Sequence, residues 1–424
     1  MAPLTRQRKK ALAAAAGVAV PLIGTGGRLS ALPDDVLRRI LGFLPAQDAV
    51  RTCVLGWQWR DLWKSASGLR IWCDGEGEKS VEDISEFVHE LLLARGSSAL
   101  EACELRVFDF DEDDVPNVNS WIRYVVMRSV QVLWLNFYRH SNHIDPWFHL
   151  DDLPLVSQHL TRLQLSVLQL NDSFLDFSSC SVLEDLEIDY CELSSVNRIS
   201  SQSLKSLSII SQCSFGYTSR TQIYVPNLIS LRMEVGFGRT PVLERMPSLM
   251  EAVVKIDSCY DSCGDGDGSG DCDIEDCEVC YGIDGDADNC VVLQSLSEAK
   301  DLVLLTNAET FIFRRDLKWC PTFSNLKTLL LDEYWCVPGD LSALACILQH
   351  SPVLEKLTLQ LFCKGPKSKV EIKGSPDPTE RSSAICEHLK IVEIKCEVLD
   401  EGVQNALKFL TKLNIYSYTF HFEQ

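Results

Sequence analysis

Aliphatic residues recur along the chain in triplets, with two variable positions after the first and one after the second. The triplets stand at Ala102, Leu105, Val107; at Val130, Leu133, Leu135; at Leu160, Leu163, Leu165; and at Leu183, Leu186, Ile188. They continue at Leu204, Leu207, Ile209; at Leu228, Leu231, Met233; and at Leu249, Ala252, Val254. After a gap they resume at Ala299, Leu302, Leu304; at Leu326, Leu329, Leu331; at Leu354, Leu357, Leu359; and at Leu389, Val392, Ile394. Each triplet predicts a short strand whose last two aliphatic residues point to one side, with the first anchoring the preceding turn. Ahead of them, Val81–Ala94 carries Phe87, Val88, Leu91 and Leu92 at helical spacing.

Successive triplets begin 28, 30, 23, 21, 24 and 21 residues apart, a period similar to that of leucine-rich repeats. The step from Leu249 to Ala299 is 50, the length of about two repeats. No single unit can hide its apolar face, so the units must stack on one another and their ends need caps. The expected fold is therefore α/β, an irregular leucine-rich-repeat solenoid of the horseshoe kind. Within LEDLEIDYCEL, Cys191 falls where such repeats often carry Asn or Cys. The acidic neighbours Glu184, Asp185, Glu187, Asp189 and Glu192 argue against a reactive thiol there.

Before the repeats, Leu32–Trp63 has a different pattern. Val36, Leu37, Ile40, Leu41 and Leu44 predict a first helix behind Pro33, and Pro45 ends it. Val50, Val54, Leu55, Trp59, Leu62 and Trp63 supply a second apolar stripe. About thirty residues bury little surface alone, so the unit should rest on a neighbour and offer its remaining face to a partner. Its Leu-Pro opening, its IL and LP pairs and its closing W-R-x-L-W resemble the F-box. That resemblance implies a three-helix module that docks a Skp-type adaptor and, through it, a cullin of a ubiquitin ligase. It implies docking by Leu32, Pro33, Leu37, Ile40, Leu41, Leu44, Pro45, Val50, Val54, Trp59, Leu62 and Trp63. Gly56, Trp57 and Gln58 depart from the pattern, in which Ser or Ala and two basic residues tend to precede W-R. Read as a helix interior, Gly56 would cost roughly 1 kcal/mol against Ala, so weaker or altered docking is expected.

The last forty residues begin as a repeat strand at HLKIVEIKC. A helical pattern follows at Val403, Leu407 and Leu410, and an aromatic alternation at Ile415, Tyr416, Tyr418, Phe420 and Phe422 closes the chain. This strand-helix-strand cap resembles the FBD region of plant F-box proteins. The expected organisation is a disordered basic, Ala-rich tail at 1–27, an F-box at 28–74, repeats at 75–385 and an FBD-like cap at 386–424.

Net charge is −20, which argues against a phosphate-gripping nucleic-acid binder and against an anionic membrane surface. Arg6, Arg8, Lys9 and Lys10 before the apolar Ala11–Ile23 imitate a signal peptide. That run is mostly Ala and Gly, and a tail of nuclear-import character in a cytoplasmic or nuclear protein fits better. Of 18 cysteines, six crowd the stretch 257–290 together with twelve carboxylates, a composition that predicts a disordered insertion. Asp265, Asp267, Ser269, Gly270, Asp271, Asp273 and Asp276 imitate a calcium loop, but Asp276 stands where a bidentate Glu is usual and neither flank reads as a helix. Cys277 and Cys280 form a lone CxxC without a matching partner pair. His140, His143 and His149 lack anything to fix them on one side, and Asp109–Asp114 reads as a solvated loop. Gly24, Gly26 and Gly27 have no strand before them, so they do not make a phosphate loop.

The pattern holds no nucleophile with a base, no metal constellation and no cofactor fingerprint, so no catalytic, metal or cofactor residues are expected. The resemblance implies a non-catalytic receptor subunit that holds a protein target of unknown identity. Arg162, Gln164, Glu187, Lys205, Ser208, Arg232 and Lys327 stand between or beside the inward positions and are the candidate target face. The alternative is a repeat scaffold that binds a protein without any ligase.

Overall fold

The aliphatic triplets become neighbouring strands of one sheet. A computed structural model describes residues 32–73, 80–138, 147–152, 154–257, 261, 290–306, 311–336, 341–362, 388–399, 401–413, 415 and 417–422. The calcium-like and CxxC positions, His140, His143 and the basic tail lie outside the described residues.

The chain enters through helices α1 (Asp34–Leu41) and α2 (Ala46–Arg51), followed by single 3-10 turns at Thr52–Val54 and Leu62–Ser65. The expected third α-helix is thus two tight turns, because the chain must reverse around Leu55–Asp61 to bring Trp59 and Leu62 back under α1. These elements share a small core of Leu37, Leu41, Ala49, Trp59, Leu62 and Ala66, separate from the large core under the sheet.

Among the described residues the sheet has 16 strands, and its main path follows chain order. It runs from β1 (Gly68–Cys73), β2 (Ala102–Phe108), β3 (Val132–Tyr138), β4 (Arg162–Ser166) and β5 (Asp185–Asp189) into β6 (Ser206–Phe215) and β7 (Ser230–Phe237). It continues through β8 (Glu251–Ile256), β9 (Asp301–Thr306), β10 (Thr328–Asp332), β11 (Lys356–Leu361) and β12 (Ile391–Cys396) to β13 (Thr419–Phe422). Every neighbouring pair on this path is parallel, and the path does not close into a barrel.

The register follows the sequence triplets. Leu133 faces Leu163, which faces Leu186, and the row continues through Leu207, Leu231, Ala252, Leu302, Leu329 and Leu357 to Val392. Each member is 2% exposed or less. A fully buried Leu contributes about 1.5–3 kcal/mol, so this row and its partner two residues on are a large stabilising term.

Three expectations change. Leu133 pairs with Cys103 and Leu135 with Leu105, so the first triplet is Leu100, Cys103, Leu105 rather than one beginning at Ala102. A buried Cys packs as a small apolar residue, and a search for aliphatic side chains passes over it. The sheet also begins one strand earlier, at β1, where Leu69 pairs with Cys103 and Ile71 with Leu105. Finally, β8 pairs directly with β9, so the 50-residue step is a single repeat carrying extra chain rather than two.

Against the inner face of the sheet lie α3 (Val81–Arg95) and α4 (Val115–Val126) near its start. A three-stranded sheet of Arg198–Ser200, Gln222–Tyr224 and Val242–Leu243 covers the middle, and α5 (Ser342–Gln349) and α6 (Glu401–Lys412) come near the end. Helix α3 starts on a capping box in which Ser80 and Asp83 satisfy each other's backbone amides. No helix among the described residues is long and apolar enough to cross a membrane.

The helical module is seated on the sheet by backbone contact. A Cβ on Gly68 would lie 2.4 Å from the Gly42 carbonyl oxygen, and one on Gly42 would lie 2.5 Å from the Gly68 nitrogen, so neither position has room for a side chain. Arg95, at the end of α3, donates to the carbonyls of Trp63 (2.9 Å) and Ala66 (2.8 Å) from a buried position. Module, first strand and first long helix are thereby locked together.

Candidate functional site

The helical module separates the candidate docking residues into two groups. Leu37, Leu41, Trp59 and Leu62 are buried in its core, and Leu32, Leu44, Pro45, Val50 and Trp63 are half-buried. Pro33, Ile40 and Val54 face solvent, Val54 at 83% exposure. Periodicity could not separate Leu37 from Ile40, because both lie on apolar positions of one short helix whose stripe is wider than its core.

Further apolar side chains are exposed on the module: Val36, Phe43 (65%), Leu55 (65%) and Trp57 (91%). Phe43 and Trp57 sit in turns, outside any helical stripe, which is why spacing did not single them out. So many exposed large apolar groups within about thirty residues form a surface suited to a partner. The Arg70 guanidinium lies 5.8 Å from the Phe43 ring centroid, linking this surface to the first strand.

Gly56 is in neither α2 nor a 3-10 turn. The helix-interior penalty expected from sequence therefore does not apply, since the chain is reversing at that point. A Cβ there would meet only Trp59 Cδ1, at 4.0 Å. Gly56→Ala is expected to change unfolding free energy by no more than about 0.5 kcal/mol, as checked by urea denaturation. Gln58 is tied to α1 through its amide, which donates to Asp34 at 3.1 Å.

The candidate target residues lie on the outer face of the sheet or, for Lys205 and Lys327, just before their strands, and most are paired with neighbouring side chains. Arg162 meets Asp185 at 2.8 Å, Gln164 donates to Glu187 at 3.0 Å, Arg232 meets Glu234 at 2.9 Å and Lys327 meets Glu355 at 3.2 Å. Lys205 pairs with Glu184 across neighbouring repeats, and Ser208 sits between Glu187 and Arg232 in the register. Burial, with Asp189 and Asp185 near it, raises the Glu187 carboxyl above its ordinary range. Near the start of the sheet the same face holds a cavity of about 510 Å³ lined by Arg70, Glu104, Arg106, Phe108, Trp134, Asn136, Tyr138 and Gln164. Glu104 is nearly buried and bridges Arg70 (3.2 Å) and Arg106 (2.5 Å), while Phe108 and Tyr138 stack at 4.7 Å. Spacing did not single out this cavity, because its residues come from four strands.

The acidic run at Asp109–Asp114 lines a cleft with Glu82, Glu86 and His89 of α3, and Asp109 takes a left-handed φ of 57°. His149 is exposed at a short strand, and its carbonyl accepts from Asn119 at 3.2 Å.

The buried cysteines divide by chemistry. Cys191 Sγ lies 3.6 Å from the Leu165 carbonyl, and Cys213 Sγ accepts the Cys191 amide at 3.3 Å, so these thiols satisfy backbone groups between repeats. Burial pushes Cys191 well up and Cys213 up to about 12, which leaves no thiolate at either position. Cys320, Cys346 and His350 behave otherwise. Their ligand atoms lie within 4.8 Å of one another, a cluster for which no metal was expected from sequence.

Comparison with known proteins bears on the module and on the whole chain. Residues 29–70 match the F-box domain. The chain is 27% identical over 402 residues to an F-box/FBD/LRR-repeat protein of Arabidopsis thaliana, covering 86% of this chain and 83% of the relative. A second Arabidopsis F-box/FBD/LRR-repeat protein is 26% identical over 403 residues, with 87% and 86% covered. The MEIOTIC F-BOX protein MOF of Oryza sativa subsp. japonica is 29% identical over 396 residues, with 87% and 80% covered.

Proposed function

We propose that this chain, with an F-box domain at residues 29–70 and homologues among plant F-box/FBD/LRR-repeat proteins, is the substrate-recognition subunit of a Skp-cullin-F-box ubiquitin ligase. The observation that carries the reading is the exposed apolar surface on the module that matches the F-box. In this reading the module (28–74) docks the Skp-type adaptor, and through it a cullin. The repeats (75–385) form a horseshoe solenoid whose outer sheet face holds a protein target, and 386–424 is an FBD-like cap. Catalysis is by proximity: the complex raises the local concentration of a target lysine beside the ubiquitin-loaded enzyme, and this chain supplies no reacting group. Its place of action is the cytoplasm, the nucleus or both.

Docking falls to the exposed members of the candidate set, with Pro33, Ile40 and Val54 joined by Phe43 and Leu55. Leu37, Leu41, Trp59 and Leu62 hold the module's shape. A test follows from Val54, whose side chain is 83% exposed. Val54→Asp should leave the unfolding midpoint unchanged while weakening binding to a purified Skp-type adaptor at least tenfold, about 1.4 kcal/mol. Trp57→Arg, which restores a basic residue, should tighten the same binding. An intact protein that does not bind the adaptor, where other F-box proteins do, would overturn the reading. The scaffold alternative draws on the departure at Gly56–Gln58, and it predicts that Val54→Asp leaves cellular function intact.

A further inference from the structure

We infer that Cys320, Cys346 and His350 form a zinc site that ties helix α5 to the turn before it. Cys346 and His350 stand four residues apart, on one face of α5 and at its C-terminal cap. Cys320 follows the 3-10 turn Leu317–Trp319 of the preceding repeat. Two sulfurs and a ring nitrogen are therefore delivered from two elements to one place, all within 4.8 Å of one another. Cys346 Sγ lies 3.9 Å from His350 Nδ1.

Zinc bonds of about 2.3 Å to sulfur and 2.0–2.1 Å to nitrogen, in a tetrahedron, place ligand atoms roughly 3.5–3.8 Å apart. The observed cluster closes to that geometry by rotamer adjustments of under about 1 Å. The three side chains are half-buried, so they are neither sealed in the core nor spread on open surface. His350 Nδ1 lies 2.8 Å from the Cys346 carbonyl. The nitrogen 3.9 Å from Cys346 Sγ is this same Nδ1, so zinc at Nδ1 would take the place of the carbonyl contact. Thiolate and imidazole donors suit zinc and exclude calcium and magnesium, which take oxygen.

Zn²⁺ binding replaces the two thiol protons, which leave to solvent, so two thiolates, one imidazole and the ion form a neutral centre. Cys290 and Asp316 are outside the group of ligand atoms within 4.8 Å of one another, so neither supplies a further ligand. The fourth position falls to water. The ion would staple α5 to the preceding repeat, on the inner side of β10 and β11.

The test uses the full chain, reduced and metal-free, with Cys259, Cys263, Cys272, Cys277 and Cys280 replaced by Ser so that no other clustered thiols compete. Titration with Co²⁺ should release two protons and give one equivalent of a tetrahedral, thiolate-bound spectrum, which Zn²⁺ then displaces. Cys346→Ser should abolish the thiolate band, and His350→Gln should weaken binding at least roughly tenfold. X-ray absorption on the zinc form of the parent, which depends on no ligand variant, should read two sulfurs and one nitrogen among the ligands. Absence of the thiolate band, equal binding by Cys346→Ser, or a Cys320–Cys346 disulfide found in place of bound zinc overturns the assignment.

Discussion

Asp316→Ala is expected to destabilise the protein by about 4 kcal/mol, and Asp316→Asn by about half of that. Asp316 is fully buried, and its two carboxylate oxygens accept the amides of Val291 (3.0 Å), Val292 (2.7 Å) and Leu293 (3.0 Å). These amides open the short helix Leu293–Leu296, which leads into β9, just after the long stretch that separates β8 from it. A charged acceptor there satisfies donors that the helix itself leaves unpaired. Asp316 also pairs with Arg315 at 3.2 Å, a side chain only 7% exposed. Removing the carboxylate orphans three buried donors and takes a neighbouring anion from a buried guanidinium. Each orphaned donor costs about 1–3 kcal/mol, with overlap between them. Asn keeps one acceptor oxygen and should retain part of the network. Urea midpoints read the loss, and hydrogen exchange at Val291–Leu293 should accelerate with it. An Ala variant as stable as the parent would show that water replaces the carboxylate at no cost.

The strand positions were legible because the aliphatic spacing encodes them directly. From Leu133 to Val392 the second residue of every triplet pairs with the second residue of the next. Legibility failed where the code changed letters. Cys103 stands in for an aliphatic residue, and β1 was hidden because Ala66, Leu69 and Ile71 continue without a break from a helical module. Helix α4 had a readable stripe at Val118, Ile122 and Val125, overshadowed by the acidic run before it. The three-stranded sheet over the middle repeats was out of reach, since segments of two or three residues carry no period. Within the candidate docking set, sequence did not separate the exposed Val54 from four core residues, and the exposed Phe43 and Trp57 lie outside that set. Cys320, Cys346 and His350 show in sequence only a Cys and a His four apart. The fold supplies the third member from 26 residues upstream of Cys346.

Arg95→Met is expected to cost about 3 kcal/mol and to loosen the seat of the helical module without unfolding the sheet. Arg95 is 4% exposed, and its guanidinium donates to the carbonyls of Trp63 and Ala66, the last residues of the module before β1. Burial lowers its affinity for the proton, yet a guanidinium remains charged at neutral pH, so both bonds are charge-assisted. Hydrogen bonds from charged donors contribute about 1.5–3 kcal/mol each. Met fills the volume of the stem but leaves the Ala66 carbonyl without its donor and the Trp63 carbonyl with only the Ala66 amide, at 3.3 Å. Arg95→Lys can reach one of the two and should lose about half as much. The contact between Gly42 and Gly68 still holds the module at one point, so the expected change is a local opening. Hydrogen exchange should rise across residues 62–68 while the amides of β4–β7 keep their protection. If the chain acts as proposed, adaptor affinity stays within about twofold because the docking surface is untouched. Ubiquitin transfer to a bound target should fall by more, since transfer depends on how rigidly the module holds the repeats toward the enzyme. Equal loss in adaptor affinity and transfer would place Arg95 in the fold of the docking surface instead.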